Sequence, residues 1–321
     1  MLGIGTAVVR RAATWLSPGG IDARLSVLIY HRVHATVDPL FPSEVTASQF
    51  ELQMALVRQL FNVLPLSEAI QRLARGQLPP RAACITFDDG YADNATLALP
   101  ILRKHNLAAT FFIATAYLNG GRMFNDTIIE AIRRSPHHKL DLQAFGLGQY
   151  DLGAGAPSDA IYAILRAVKY LPLGLREDTV AAIAAAVTGA PLPDDLMMTT
   201  AQVRELRAAG MEIGGHTARH PILAQLDRTH ALAEIVAGKR WLEDVLGERI
   251  SAFAYPNGKP GQDYLPAQAA WVREAGFDCA VSTQSGVATR TSDLFQLPRY
   301  TPWDIAPWKF GLRLLQNLRS V

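Results

Sequence analysis

Short apolar runs that alternate with helical patterns constrain this chain more than any other feature. Residues 25–33, 63–65, 83–87 and 109–114 read as strands by their continuous apolar character and polar ends. Between them, Ser48-Gln49-Phe50-Glu51 resembles a capping box. It opens a helix with apolar residues at Phe50, Met54, Val57 and Leu60. Ser67-Glu68 opens a second helix, and residues 94–106 form a third. The same rhythm returns after residue 200, with helices over 200–209 and 227–246 and strands near 211–214, 251–255 and 277–282. A last strand is expected over 295–300. Strands that alternate with helices predict a mostly parallel sheet, whose ligands gather at the carboxyl ends of the strands.

Two of those strand ends carry unusual chemistry. The run Ala83-Cys84-Ile85-Thr86-Phe87 stops at Asp88-Asp89-Gly90. Strand side chains alternate and Gly90 lets the chain turn, so the two carboxylates can diverge. One can bind a cation while its neighbour moves protons. Taken alone, Asp-Asp-Gly also suits an ordinary surface turn. The second stretch, Gly214-Gly215-His216-Thr217-Ala218-Arg219-His220-Pro221, places two histidines four residues apart. They can converge on one cation if the segment turns helically, and Pro221 limits that turn. Asp89, His216 and His220 would then form a three-ligand set with open positions, the pattern of a catalytic metal. Zinc suits two imidazoles and a carboxylate best, and cobalt, manganese, nickel and iron are also compatible.

Thr86-Phe87-Asp88-Asp89-Gly90 and His216-Thr217-Ala218-Arg219-His220-Pro221 resemble the first two motifs of the polysaccharide deacetylases, also known as the NodB-homology or carbohydrate esterase family 4 enzymes. The resemblance covers roughly residues 25–301. It implies an α/β fold, a distorted (β/α) barrel in a single domain spanning the chain. The implied reaction is metal-dependent hydrolysis of N-acetyl groups from amino sugars of a polysaccharide or glycan-lipid. In the family the first Asp of the pair is the base and the second a metal ligand, which gives Asp88 and Asp89 those roles. The turn Tyr255-Pro256-Asn257-Gly258 stands where the family has Arg-Pro-Pro-Tyr-Gly, and Ala254 replaces its arginine. Pro256 has no N–H, so Asn257 is the expected oxyanion donor. Arg299 is a candidate to orient Asp88 in place of the missing arginine, the other reading being a surface ion pair. No histidine follows His230, so the family's carboxy-terminal Leu-x-His acid is missing. Tyr30-His31 is similar to the permuted arrangement of the poly-N-acetylglucosamine deacetylases, which makes His31 the expected acid. A structural histidine capping the strand is the other reading.

Several classes are set aside or kept as alternatives. A net charge of +2 and the lack of a basic stripe argue against nucleic acid. Cys84 and Cys279 sit in apolar runs and read as buried thiols. Arg10 and Arg11 follow the first apolar stretch and do not precede it, and no run approaches the roughly 20 residues of a spanning helix. Cytoplasmic or peripheral-membrane placement is the resulting expectation. Residues 119–196 break the β/α rhythm and read as a helical insertion, a cap on the barrel edge in preference to a lid. His137 and His138 lie there in a polar turn. Residues 306–319 form a basic, aromatic, amphipathic helix that either packs on the body or contacts an anionic membrane. Tyr91, Tyr255, Trp303 and Trp308 are candidate exposed aromatics for sugar stacking, Tyr91 and Tyr255 being placed at the site itself. O-deacetylation, deformylation of a lipid-linked sugar and non-catalytic glycan binding are the competing functions.

Overall fold

The structure, a computed structural model, describes residues 3–153, 157–302, 304 and 306–320, with side chains from residue 7 onward. Trp303 lies outside the described residues. Among the described residues nine strands form two sheets. The main sheet contains β1 (Leu25–Tyr30), β2 (Asn62–Val63), β3 (Ala82–Phe87) and β4 (Thr110–Ile113). A small antiparallel pair, β5 (Lys139–Asp141) and β6 (Gln149–Asp151), stands apart. The main sheet resumes with β7 (Glu212–Gly215), β8 (Ala252–Ala254) and β9 (Cys279–Val281). Its order is β1-β3-β4-β7-β8-β9, every ladder is parallel, and β2 pairs with the start of β3.

The expected last strand over 295–300 is not a regular ladder. It makes isolated parallel bridges, Val281↔Leu297 and Leu28↔Tyr300, and so joins β9 to β1 around the ring. Strand alternation accounts for the two apolar layers on either side of this curled sheet. Leu25, Val27, Ala82, Cys84, Phe112, Ala252, Ala254, Cys279 and Val281 share the inner cluster. Leu28, Tyr30, Ala83, Ile85, Phe87, Phe111, Ile113 and Phe253 face the helices. Cys84 and Cys279 are free and buried.

The helices follow the sequence pattern with local corrections. The first cap box is formed by Thr46 and Gln49, two residues upstream of the expected Ser48, and it opens Ala47–Leu60. The expected helix over 94–106 begins as a π-helical turn, Asn94–Ala98, and continues as Leu99–Lys104. Pro100 lacks an N–H, and the Leu99 N–H bonds the Asn94 carbonyl, one residue wider than an α-turn. The segment over 119–196 contains Phe124–Arg133, Pro157–Lys169 and Leu173–Val187, which share their own apolar cluster built on Ile128, Ile161, Ile164 and Ile183. His137 and His138 are exposed. The terminal helix Pro307–Asn317 buries Phe310 and Leu314 against the body. No described helix is long and apolar enough to cross a membrane.

Candidate metal centre and active site

Asp88 continues the inward phase of Ala82, Cys84 and Thr86 on β3, so its carboxylate points to the barrel axis. Asp89 then adopts φ 76° and Gly90 φ 91°, which swings the second carboxylate away from the first. Only glycine fits easily at position 90, because a Cβ there would press on Ile113 Cγ2 at 3.2 Å. Both aspartates are buried at 2% and 6% exposure.

His216 and His220 leave the end of β7 in a turn that is not helical, so their convergence does not need the helical turn that their spacing allowed. Thr217 and His220 have φ 63° and 51°, and such left-handed conformations in non-glycine residues cost on the order of 1–3 kcal/mol each. Neighbouring elements hold the strain. His220 N–H donates to Thr217 Oγ1 at 3.0 Å, and Ala218 N–H to the Glu234 carbonyl at 3.1 Å. Arg219 donates from its backbone N–H and Nε to the Glu234 carboxylate, each at 2.8 Å. From the segment over 119–196, the buried Arg176 reaches the His220 carbonyl at 3.4 Å and stacks on Phe124.

These turns bring the three candidate ligands together. One potential donor atom from each of Asp89, His216 and His220 lies within 4.8 Å of the others. Asp89 Oδ1 stands 3.3 Å from His216 Nε2 and 3.5 Å from His220 Nε2, and it accepts no hydrogen bond. His216 Nδ1 lies 2.7 Å from the Ala254 carbonyl oxygen, to which it can only donate, so in the neutral ring it is Nε2 that carries the lone pair. Burial lowers the His220 pKa to about 3, against the pull of Asp89, which keeps that ring neutral. Burial opposes charge on His216 too, but the adjacent Asp89 and Asp88 carboxylates outweigh it and raise its pKa. For Asp89 the imidazoles overcome the burial cost and hold its pKa well below the carboxylate range. Two imidazole lone pairs and an unpartnered carboxylate oxygen facing one point fit a divalent cation.

Arg299 is no surface residue. Its guanidinium grips Asp88 through two 2.7 Å bonds, Nη1 to Oδ1 and Nη2 to Oδ2, and its Nε donates to the Ser282 carbonyl at 2.7 Å. Burial works to raise the Asp88 pKa, but Arg299 and His216 outweigh it, so the carboxyl stays ionised. Asn257 turns with φ 59°, and its buried Nδ2 has no partner among the described residues. No protein acceptor among them takes the Asn257 N–H either. His31 follows β1, is exposed, and lines the same cavity of about 290 Å³ as Asp88, Asp89, His216, His220 and Asn257.

The expectation of exposed aromatics fails at two positions. Tyr91 and Tyr255 are 2% and 1% exposed. Tyr91 donates its hydroxyl to Asp126 and Tyr255 donates to the Phe295 carbonyl, so neither presents a ring to a sugar. Sequence reasoning also missed part of the cavity wall. Tyr162, Leu165, Arg166 and Lys169 line it from one face of Pro157–Lys169, and Asn125 from Phe124–Arg133. Their i, i+3, i+4, i+7 spacing was a readable signal of one face, but nothing local showed what that face meets.

Comparison with known proteins gives the chain's family and the folds it resembles. A family model described as "Polysaccharide deacetylase" matches residues 75–144 and 172–278, more than half of the chain. The protein YxkH of Bacillus subtilis strain 168 is 22% identical over 279 residues, covering 86% of this chain and 71% of its own length. A poly-beta-1,6-N-acetyl-D-glucosamine N-deacetylase of Staphylococcus aureus is 30% identical over 109 residues, 34% of this chain and 38% of its own length. Among solved structures, IcaB from Ammonifex degensii superposes with TM-score 0.58 at 18% identity, covering 95% of this chain and 99% of that one.

Proposed function

Because the chain belongs to the polysaccharide deacetylase family, we propose that it hydrolyses N-acetyl groups from amino sugars of a glycan or glycan-lipid, with a divalent cation held by Asp89, His216 and His220. The observation that carries this reading is Asp89 Oδ1, buried without a hydrogen-bond partner and facing two imidazole nitrogens. Zinc suits the donor set first, with cobalt, manganese, nickel or iron as alternatives. Such a cation would supply a water of lowered pKa and polarise the acyl oxygen.

The protein's own groups divide the remaining work. The Asp88 carboxylate, ionised and fixed in place by Arg299, takes the proton of the attacking water. The Asn257 N–H donates to the oxygen that gains charge, and its free Nδ2 is a second donor on the same turn. His31, open to the cavity, hands a proton to the departing amine nitrogen. The Staphylococcus aureus relative and the Tyr30-His31 pattern favour a poly-N-acetylglucosamine-like exopolysaccharide.

The test is acetate release from N-acetylglucosamine oligomers and a lipid-linked acetamido sugar, with and without added zinc, in wild type and Asp88→Asn. Metal-dependent release, lost in the variant with metal still bound, is the expected result. Release from O-acetylated oligomers alone would replace the N-acetyl assignment. Metal binding without any release would favour glycan binding.

A further inference from the structure

The helix Gly3–Leu16 packs beside the terminal helix Pro307–Asn317, and both pack on Ala47–Leu60 outside the sheet. The terminal helix spends its main apolar side on the body, through Phe310 and Leu314, and Gly311 lets it sit close to Leu56. That side is therefore unavailable to a membrane. What the two helices present outward is a second apolar surface. Trp15 is 82% exposed and Trp308 65%, and Val8 and Leu312 on the same two helices are exposed as well. A tryptophan so exposed loses much of the burial that usually stabilises its large ring.

The charge carried by the two helices themselves has one sign. Gly3–Leu16 carries Arg10 and Arg11, the terminal helix carries Lys309 and Arg313, and Arg319 follows it. Neither helix contains an acidic residue, although the whole chain balances 31 basic against 29 acidic side chains. Arg313 is paired with Asp304. Arg10, Arg11, Lys309 and Arg319 are exposed and have no carboxylate partner among the described residues. Tryptophan and aliphatic side chains between unpaired cations match the boundary of an anionic bilayer, where indole sits among headgroups and cations meet lipid phosphates.

We propose that the paired helices Gly3–Leu16 and Pro307–Asn317 form a docking surface for an anionic lipid bilayer. The two helices lie flat in the interface, Trp15 and Trp308 enter the headgroup layer, and the arginines and lysine bind lipid phosphates. The barrel is thereby held on its side against the membrane. This assignment is independent of the reaction proposed above.

Co-sedimentation of the full chain with vesicles tests it. Vesicles of phosphatidylcholine with about a third phosphatidylglycerol should bind the protein, and pure phosphatidylcholine should not. Trp15→Ala with Trp308→Ala should weaken binding roughly tenfold or more, and neutralising Arg10, Arg11 and Lys309 roughly fivefold per residue. Trp15, Trp308 and the three cations do not line the cavity that holds Asp88, Asp89, His216 and His220, and Trp308 is thereby removed from the sugar-stacking candidates. Activity on a soluble substrate should therefore not change in these variants. Absence of binding to anionic vesicles, or equal binding by the double tryptophan variant, overturns the proposal. A tryptophan-dependent dimer in lipid-free sedimentation velocity would assign the face to a second copy and overturn it as well.

Discussion

Arg299 and Asp88, 211 positions apart in sequence, form a two-bond ion pair at the end of β3 with side chains 0% and 3% exposed. Removing one member of a buried pair leaves the other charge uncompensated and costs about 3–5 kcal/mol. Arg299→Met is therefore expected to lose stability on that scale in urea unfolding. Arg299→Lys keeps a charge but not the planar fork, so it should lose less stability. If Asp88 is the base, the lysine variant should still lower kcat about 10²-fold through misplacement of the carboxylate. A methionine variant within about 1 kcal/mol of wild type would show that Asp88 does not depend on this partner.

The convergence of Asp89, His216 and His220 predicts a second outcome. Dialysis against a chelator should abolish acetate release, and stoichiometric zinc should restore it. A cation that binds only the folded chain also stabilises it, by about 2.7 kcal/mol at one hundred times its Kd. Zinc should therefore raise the thermal midpoint of wild type and not that of Asp89→Asn or His220→Ala. Equal midpoints with and without zinc would remove the metal from the site.

Asp126 gives a pH dependence. Burial, opposed by Arg32, raises its pKa to about 7. The unfolded chain releases this proton near pH 4, whereas the folded chain keeps it to about 7. Between those values the folded state holds more protons, so stability falls as pH rises, and the fall ends above 7. Asp126→Asn keeps an acceptor for the Tyr91 hydroxyl and has no charge to bury. Relative to this variant, wild type should lose about 2–3 kcal/mol between pH 5 and pH 8, measured by urea unfolding with chelator present. A constant difference between the two proteins across that range would mean that Asp126 titrates normally.

How much of this was readable in sequence depends on how local the determinant is. The strand ends, Asp88-Asp89-Gly90 and the paired histidines were visible because strand period, residue type and Gly90 act within a few positions. The parallel sheet followed from the β/α alternation. That the histidines converge without a helical turn was not readable, because Glu234, which fixes the turn, lies more than a dozen residues downstream. The burial of Tyr91 depends on Asp126 in a separate helix, and that of Tyr255 on stacking with Tyr264. The bridging of β9 and β1 by Leu297 and Tyr300 is likewise a tertiary outcome, since the segment lacks a continuous ladder of its own.

Gly238 ties the long helix to the candidate metal centre. A Cβ on it would lie 2.6 Å from the Thr217 carbonyl oxygen and 2.7 Å from its carbon, backbone atoms that cannot move aside cheaply. In an exposed helix interior, alanine in place of glycine gains about 1 kcal/mol. At position 238 the clash should reverse that sign and cost about 1–3 kcal/mol, because the helix Arg228–Leu246 must retreat from the turn. Retreat would stretch the bonds from Ala218 and Arg219 to Glu234, which keep Thr217 and His220 in their left-handed conformations. Gly238→Ala should therefore weaken zinc binding as well as stability. Gly174→Ala is the control, since a Cβ there meets nothing within 4 Å in the helix Leu173–Val187. That variant should be neutral or slightly stabilising with unchanged zinc affinity. Unfolding and zinc titration of both variants separate the two cases, and normal zinc affinity in Gly238→Ala would show that the ligand turn holds without the helix.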